Sequence, residues 1–357
     1  MEAQGGWLGF DAFMAQALYT PGLGYYANDS TKFGTLPHLK QAGDEAAGSD
    51  FVTAPEMSPL FGQALCAQIA QALHITQTQE IWEFGAGTGA LALQLLDGLA
   101  ALGLPLPRYT IVDLSGSLRV RQQQKLASYA GHVRWVDELP ATLQGVVVGN
   151  EVLDAMPVKL LARVGGVWFE RGVALGEGVA FVWQDWPTEL RPPVMIEGEH
   201  DYLTEIHTQG ESFISTLADK LTVGAAFFID YGFPEAEYYH PQRHMGTVMC
   251  HQHHRSDPDP LDQVGLKDIT AHVNFTGIAL AAQEAGLNVL GYCTQARFLI
   301  NCGIGPLMDA SPLAVRVHAQ RLLMEHEMGE LFKVIGLCKG DPWKALGFAQ
   351  SDRTHTL

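Results

Sequence analysis

The chain has 357 residues, with 22 Lys plus Arg against 39 Asp plus Glu, so its formal charge is −17. That balance argues against a nucleic-acid backbone as partner and favours a small molecule or a basic protein segment. An apolar fraction of 47% supports a sizeable core in one large domain with insertions, or in two domains, and no apolar run reaches the roughly 18 residues of a membrane span.

The N-terminus, Met1 to Trp7, has no basic region and reads as neither a signal peptide nor a transit peptide. The five cysteines, Cys66, Cys250, Cys293, Cys302 and Cys338, include no C-x-x-C pair. They read as buried free thiols of a reducing compartment, which places the protein in the cytoplasm.

Phe10, Phe13, Met14 and Leu18 share one face of a helix, which Tyr19-Thr-Pro-Gly-Leu-Gly-Tyr-Tyr26 ends with Pro and Gly punctuation. Residues 28–49 are polar and small, a flexible loop or an ordered lid. After Asp50-Phe-Val-Thr-Ala-Pro-Glu56, Ser58 caps a helix through Phe61, Leu65, Ile69 and Leu73. Pro55 and Pro59 fix the approach to that helix, so Thr53, Pro55 and Glu56 are candidates to line a ligand; an ordinary capped loop is the plainer reading.

The stretch Glu80-Ile-Trp-Glu-Phe-Gly-Ala-Gly-Thr-Gly-Ala90 organises the rest. Ile81, Trp82 and Phe84 end a buried strand, Gly85, Ala86, Gly87 and Gly89 form a tight turn, and Leu91 to Leu96 start an amphipathic helix. Strand, glycine turn and helix make the nucleotide-binding corner of an open α/β sheet. Two cofactors compete for it, because Gly85 to Ala90 also fits the dinucleotide pattern G-x-G-x-x-A. Glu83, two residues before the first glycine, opposes a pyrophosphate but suits S-adenosylmethionine (SAM), which carries an amino group and a sulfonium and no phosphate.

Arg108 to Asp113 is the second strand, and its terminal acid lies 113 − 89 = 24 residues beyond Gly89, near the spacing at which an acid takes ribose hydroxyls. Asp113 and the adjacent Leu114 are therefore cofactor candidates, and Ser115 caps the next helix. His132 to Val136 is a third strand. Gly145-Val-Val-Val-Gly-Asn-Glu151 is the fourth, and it delivers Asn150, Glu151 and then Asp154 to the edge where ligands bind. Asn150 is assigned to the cofactor, Glu151 to cofactor and chemistry, and Asp154 to chemistry; helix capping by Asn150 or Asp154 is the alternative.

Residues 158–200 break the α/β rhythm with strand-like runs at 160–164, 167–170 and 179–183, an antiparallel insertion. A helix follows from Glu211 to Leu221. Gly224 to Gly232 is a fifth parallel strand, nearly all apolar, ending in Asp230 and Tyr231, both candidates for chemistry. Residues 233–272 read as a long irregular segment whose histidines, His240, His244, His251, His253 and His254 among them, lack the paired doublets of a zinc site, so no metal is expected. A helix from Phe275, a sixth strand from Asn288, helices over 297–328 and a last strand from Leu331 to Cys338 complete the chain, and the tail after about 345 reads as frayed.

The motifs Thr20-Pro-Gly-Leu-Gly-Tyr-Tyr26, Asp50 to Ser58, Glu83 to Gly89, Gly149 to Ala155, Asp230-Tyr-Gly232 and Asp268 to Phe275 occur in the order seen in the MidA-like family, which this chain resembles from residue 10 to about 340. The chain has Asn274 where the family pattern commonly has Asp. The resemblance implies a class I SAM methyltransferase: a Rossmann-like seven-stranded α/β sheet with an N-terminal helical extension (1–75), a core (76–157 and 203–345) and an antiparallel insertion (158–202). It also implies N-methylation of an arginine in a protein, with a subunit of a respiratory complex I type as a candidate. A non-catalytic SAM-binding assembly factor and a nicotinamide-dependent oxidoreductase are the competing readings. The oligomeric state is not legible.

Overall fold

The computed structural model describes residues 6–27, 52–113, 116–252 and 255–357. The expectations for the 28–49 loop, for Asp50, Phe51, Leu114, the Ser115 cap, His253 and His254 lie outside the described residues.

Seven strands form the central sheet: β1 (Glu80–Phe84), β2 (Arg108–Val112), β3 (Val133–Val136), β4 (Leu143–Asn150), β5 (Leu221–Phe233), β6 (Leu287–Thr294) and β7 (Phe332–Lys339). Their order across the sheet is β3-β2-β1-β4-β5-β7-β6. The first five are parallel, and β7 runs antiparallel to both β5 and β6. A short strand, Val273–Asn274, adds to the end of β5.

The apolar runs of β4 and β5 explain their central place. Val146, Val148, Phe227 and Ile229 point into one core, built with the helices Pro59–Thr76 and Ala90–Ala101. Val147, Ala226 and Phe228 point into a second core on the other face, with Thr208–Lys220 and Phe275–Glu284. A strand covered on both faces must be apolar at every position. Phe227 and Phe228 are wholly buried, and each such side chain contributes roughly 1.5–3 kcal/mol.

The second sheet is antiparallel. Lys159–Val164, Val167–Leu175 and Phe181–Pro187 are joined by Tyr202–Ile206 and by Trp7–Gly9 from the N-terminus. The N-terminal segment therefore contributes a strand as well as its helix, and Trp7 stacks on Trp186 with ring centroids 4.5 Å apart. The helix Phe10–Tyr19 packs Phe10, Phe13, Met14 and Leu18 against this sheet.

Two expectations are corrected. Residues 233–272 are not one irregular segment: they contain the helix Glu235–Tyr238 and a three-stranded sheet of Arg255–Asp257, Met249–Gln252 and Asp268–Thr270. Strands of three or four residues leave no periodicity to read. The tail is packed rather than frayed. Phe348 is buried against Phe298 (5.3 Å between centroids) and over Gly291 and Gly336, where an added Cβ would sit 2.2 and 2.5 Å from its ring. Among the described residues no helix is long and apolar enough to cross a membrane.

Candidate functional site

A cavity of about 970 Å³ opens at the carboxyl ends of β1, β2, β4 and β5. Of the residues singled out from sequence, Thr53, Pro55, Glu56, Glu83, Gly85, Ala86, Gly87, Asp113, Asn150, Glu151, Asp154 and Tyr231 line it. Gly89 and Asp230 do not.

The glycine turn leaves β1 with Gly85 at φ +63° and Gly87 at φ +52°, in the left-handed region that side chains disfavour. Gly89 serves the helix instead, as the N-cap of Ala90–Ala101 at φ +84°. Upstream, Gln94 on that helix binds the Pro55 carbonyl at 2.7 Å and accepts the Gly62 N–H at 2.9 Å. Glu56 accepts the Thr88 hydroxyl and lies 3.4 Å from the Lys125 ammonium. The Thr53-to-Glu56 segment is thus tied to the turn by side chains of the two following helices.

Gln122 was not singled out from the sequence. It is fully buried, donates to the Gly87 carbonyl at 2.9 Å and to Asp113 Oδ2 at 2.8 Å, and accepts the Trp135 indole N–H at 2.8 Å. One amide therefore fixes the glycine turn against the acid of β2. Glu83 is buried and accepts the Tyr109 hydroxyl at 2.7 Å. Burial, with the nearby Asp113 charge, pushes its carboxyl up to about 8 although the Tyr109 bond opposes the shift.

The end of β4 is the acidic part of the cavity. Glu151 has φ +52°, unusual for a residue with a side chain. Its own N–H is held by the Ile229 carbonyl at 2.9 Å, and Asn150 Nδ2 donates to Glu151 Oε1 at 3.0 Å. Burial and the Asp154 charge push Glu151 up to about 8, against hydrogen bonds from Asn150 and the Ala54 N–H. Burial pushes Asp154 up to about 6, against a hydrogen bond from the Tyr231 hydroxyl.

Asp230, a candidate for chemistry from the sequence, is engaged by the backbone. Its Oδ2 accepts the backbone N–H groups of Val152, Leu153 and Asp154 at 3.1, 2.9 and 3.2 Å, and its Oδ1 accepts the N–H of Tyr231 at 3.0 Å. With both oxygens engaged by the backbone, it shapes the turn that presents Glu151 and Asp154, and stays off the cavity wall.

Tyr19, Tyr26, Asp268 and His272 also line the cavity and were missed as site residues. Tyr26 and Asp268 belong to the ordered motifs quoted above, which was the available signal. Gly24 lets the chain fold back, its N–H on the Thr20 carbonyl at 2.7 Å, so that Tyr25 and Tyr26 bond to the end of the helix. His272 lies edge-on to Tyr231, and burial beside Arg243 and Lys333 holds its imidazole down at about 4. Among the described residues no group of three or more His, Cys, Asp or Glu is arranged to hold a metal ion.

Comparison with known proteins gives a consistent family. Residues 64–293 match the model of a family described as "Putative S-adenosyl-L-methionine-dependent methyltransferase". A protein of Burkholderia thailandensis solved with S-adenosyl-homocysteine bound is 48% identical, with a TM-score of 0.92 over 100% of this chain and 94% of that one. A second native structure from the same organism is 46% identical, with a TM-score of 0.89 and the same coverage. Among curated relatives, the mitochondrial protein arginine methyltransferase NDUFAF7 of Danio rerio is 26% identical over 90% of this chain and 81% of that protein. Its Caenorhabditis elegans homolog is 24% identical over 82% of this chain and 72% of that protein.

Proposed function

The chain belongs to the MidA-like family of SAM-dependent methyltransferases, and from that premise we propose that it methylates a nitrogen of an arginine side chain in a protein. The observation that carries the reading is that the glycine turn, the half-buried Glu151 and the buried Asp154 open into one cavity.

The residues present fit the cofactor. The turn offers bare backbone at Gly85 and Gly87, Asp113 is steadied by Gln122 beside it, and the buried Asn150 Oδ1 has no hydrogen-bond partner among the described residues. In our assignment Asp113 takes the ribose hydroxyls, Glu83 and the glycine turn the amino-acid end, and Thr53, Pro55 and Glu56 close the side. When bound, SAM supplies an electrophilic methyl group on a sulfonium.

The protein's own part is to position the acceptor. A guanidinium, with a pKa above about 12, is cationic and planar. A carboxylate holds its fork in two parallel hydrogen bonds, aims one nitrogen and favours the charge that builds there. We assign this to Glu151, with Asp154 and Tyr231 beside it. The nitrogen that gains a methyl loses a proton, and the Glu151 carboxylate beside it is placed to accept it.

The curated relatives are named protein arginine methyltransferases, which supports arginine as the acceptor. A subunit of a respiratory complex I type is a candidate substrate, and the net charge of −17 suits a basic segment. Five buried free cysteines suit a reducing compartment such as the cytoplasm. Mass spectrometry of proteins from cells with and without the gene tests the reading. Methylarginine lost with the gene and restored by the purified enzyme supports it; methylation confined to other residues refutes it.

A further inference from the structure

Part of the cavity wall comes from outside the seven-stranded sheet. Tyr19 ends the helix Phe10–Tyr19, Tyr26 follows its closing turn, and Asp268 begins the strand Asp268–Thr270. All three line the cavity that holds Glu151 and Asp154. The Tyr26 hydroxyl donates to both Asp268 oxygens, at 2.8 and 3.0 Å. The Tyr19 hydroxyl donates to the Ala155 carbonyl at 2.8 Å, and the two tyrosine rings stack 5.7 Å apart at 21°. The Ala271 N–H bonds to the Asp154 carbonyl at 2.9 Å, so the Asp268 segment is fastened to the Asp154 turn.

One atom in this group points to a ligand. Asp154 is 3% exposed and lines the cavity, yet its Oδ1 has no hydrogen-bond partner among the described residues. A buried carboxyl oxygen without a donor is costly, and such atoms are rare in folded proteins. The negative charges of Asp154 and Asp268 both act on Glu151, Tyr19 and Tyr26. This chamber concentrates negative charge beside flat aromatic surface, and a planar cation with several N–H donors answers both features.

We propose that Tyr19, Tyr26 and Asp268 form the outer half of a guanidinium pocket whose inner half is Glu151 and Asp154. Asp154 Oδ1 and the Asp268 carboxylate accept N–H groups of the cation, and the stacked tyrosines provide its flat support. Tyr26 sets the rotamer of Asp268 through its hydroxyl. The helix Phe10–Tyr19 and the turn that closes it are thereby part of acceptor recognition. An ammonium presents a compact charge with no plane, so it fills the pocket less well. This inference rests on the arginine reading above.

The test uses the full chain saturated with S-adenosyl-homocysteine. N-acetyl-arginine amide and N-acetyl-lysine amide are titrated by NMR, and S-adenosyl-homocysteine affinity is measured by calorimetry as the control for folding. The wild-type protein should bind the arginine amide saturably and the lysine amide about tenfold more weakly or worse. Asp268→Asn should weaken the arginine amide by about tenfold or more, and Tyr26→Phe, which keeps the ring, by about threefold to tenfold. Both variants should keep their S-adenosyl-homocysteine affinity. If the wild type binds the arginine amide and both variants bind it equally well, the outer wall is not part of the pocket, and the arginine reading stands without it. If the wild type does not bind the arginine amide, the arginine reading fails and this pocket fails with it. Should Asp268→Asn lose S-adenosyl-homocysteine as well, Tyr26→Phe alone decides: wild-type affinity for the arginine amide overturns the proposal.

Discussion

Asp230 accepts the backbone N–H of Asp154 at 3.2 Å while its charge and that of the Asp154 side chain oppose each other across the same buried space. Burial, then the Asp154 and Glu151 charges, hold Asp230 well above the usual carboxylate range. Three carboxyl groups thus share a site that cannot hold three full charges. Burial and mutual repulsion therefore favour the protonated form at Glu151 and Asp230.

That arrangement fixes the sign of a stability dependence. In the unfolded chain Glu151 ionises near its ordinary 4.5, whereas in the fold it keeps its proton up to about 8. Between those values the folded state holds more protons, so stability falls as pH rises through the window and levels above it. Glu151→Gln removes this titration. Relative to wild type, the variant should gain on the order of 1–3 kcal/mol between pH 5 and pH 8.5. Urea unfolding at the two pH values measures the gain; parallel slopes for the two proteins would show that Glu151 is not a perturbed acid.

Asp230→Ala should destabilise the protein by about 2–5 kcal/mol, since it leaves the buried N–H groups of Val152, Leu153 and Asp154 without an acceptor. Asp230→Asn keeps one acceptor oxygen and should cost less. Denaturant midpoints for both variants decide this. Wild-type stability of Asp230→Ala would mean that the 151–154 turn holds itself.

The sheet was legible because β4 and β5 are apolar at nearly every position, and the glycine turn because only a tight, backbone-exposing bend needs alternating glycines. The acidic end was legible from Asn150, Glu151 and Asp154 following a buried strand. The backbone contacts of Asp230 were not legible, because a carboxylate at a strand end reads the same whether it meets ligand or backbone N–H. Gln122, Tyr19, Tyr26 and Asp268 reach the site through contacts between segments far apart in the chain; the ordered motifs mark Tyr26 and Asp268, but no local pattern encodes the contacts themselves. The tail was misread because Phe348 docks on Gly291 and Gly336, whose missing side chains look like weakness in the strands themselves.

Gly87→Val should abolish SAM binding in a folded protein. Gly87 lies at φ +52° on the cavity wall, and a β-branched residue resists that conformation while adding bulk where a ligand meets the backbone. Calorimetry with SAM, alongside circular dichroism, is the measurement. Wild-type affinity in the folded variant would remove the turn from the cofactor site.

Asp113→Ala should weaken SAM by about tenfold or more, given roughly 1.5–3 kcal/mol for each hydrogen bond to a charged group. Gln122→Leu tests the support behind it, because it breaks the link from the Gly87 carbonyl to Asp113 Oδ2. Its expected loss is smaller, about threefold to tenfold. An unchanged affinity in Asp113→Ala would show that the ribose is held elsewhere.

The chemistry is tested at Glu151 itself. Its left-handed backbone, at φ +52°, stores strain on the order of 1 kcal/mol that only the surrounding bonds sustain, and such residues cluster where geometry serves function. The Ile229 carbonyl holds the Glu151 backbone, and hydrogen bonds from the Asn150 amide and the Ala54 N–H steady its carboxyl group. Glu151→Gln keeps the shape and the Asn150 contact but loses the charge, and its amide nitrogen presents a donor to a guanidinium that is itself all donors. SAM affinity should stay within about threefold, and single-turnover methylation of an identified arginine substrate should slow by about a hundredfold or more, in the range seen when a group stabilising developing charge is removed. Asp154→Asn should be milder, because Asn150, Glu151 and Tyr231 all remain. Methylation at the wild-type rate in Glu151→Gln would end the carboxylate clamp. Loss of SAM binding instead would make Glu151 a cofactor ligand and move the guanidinium to Asp154 and Asp268.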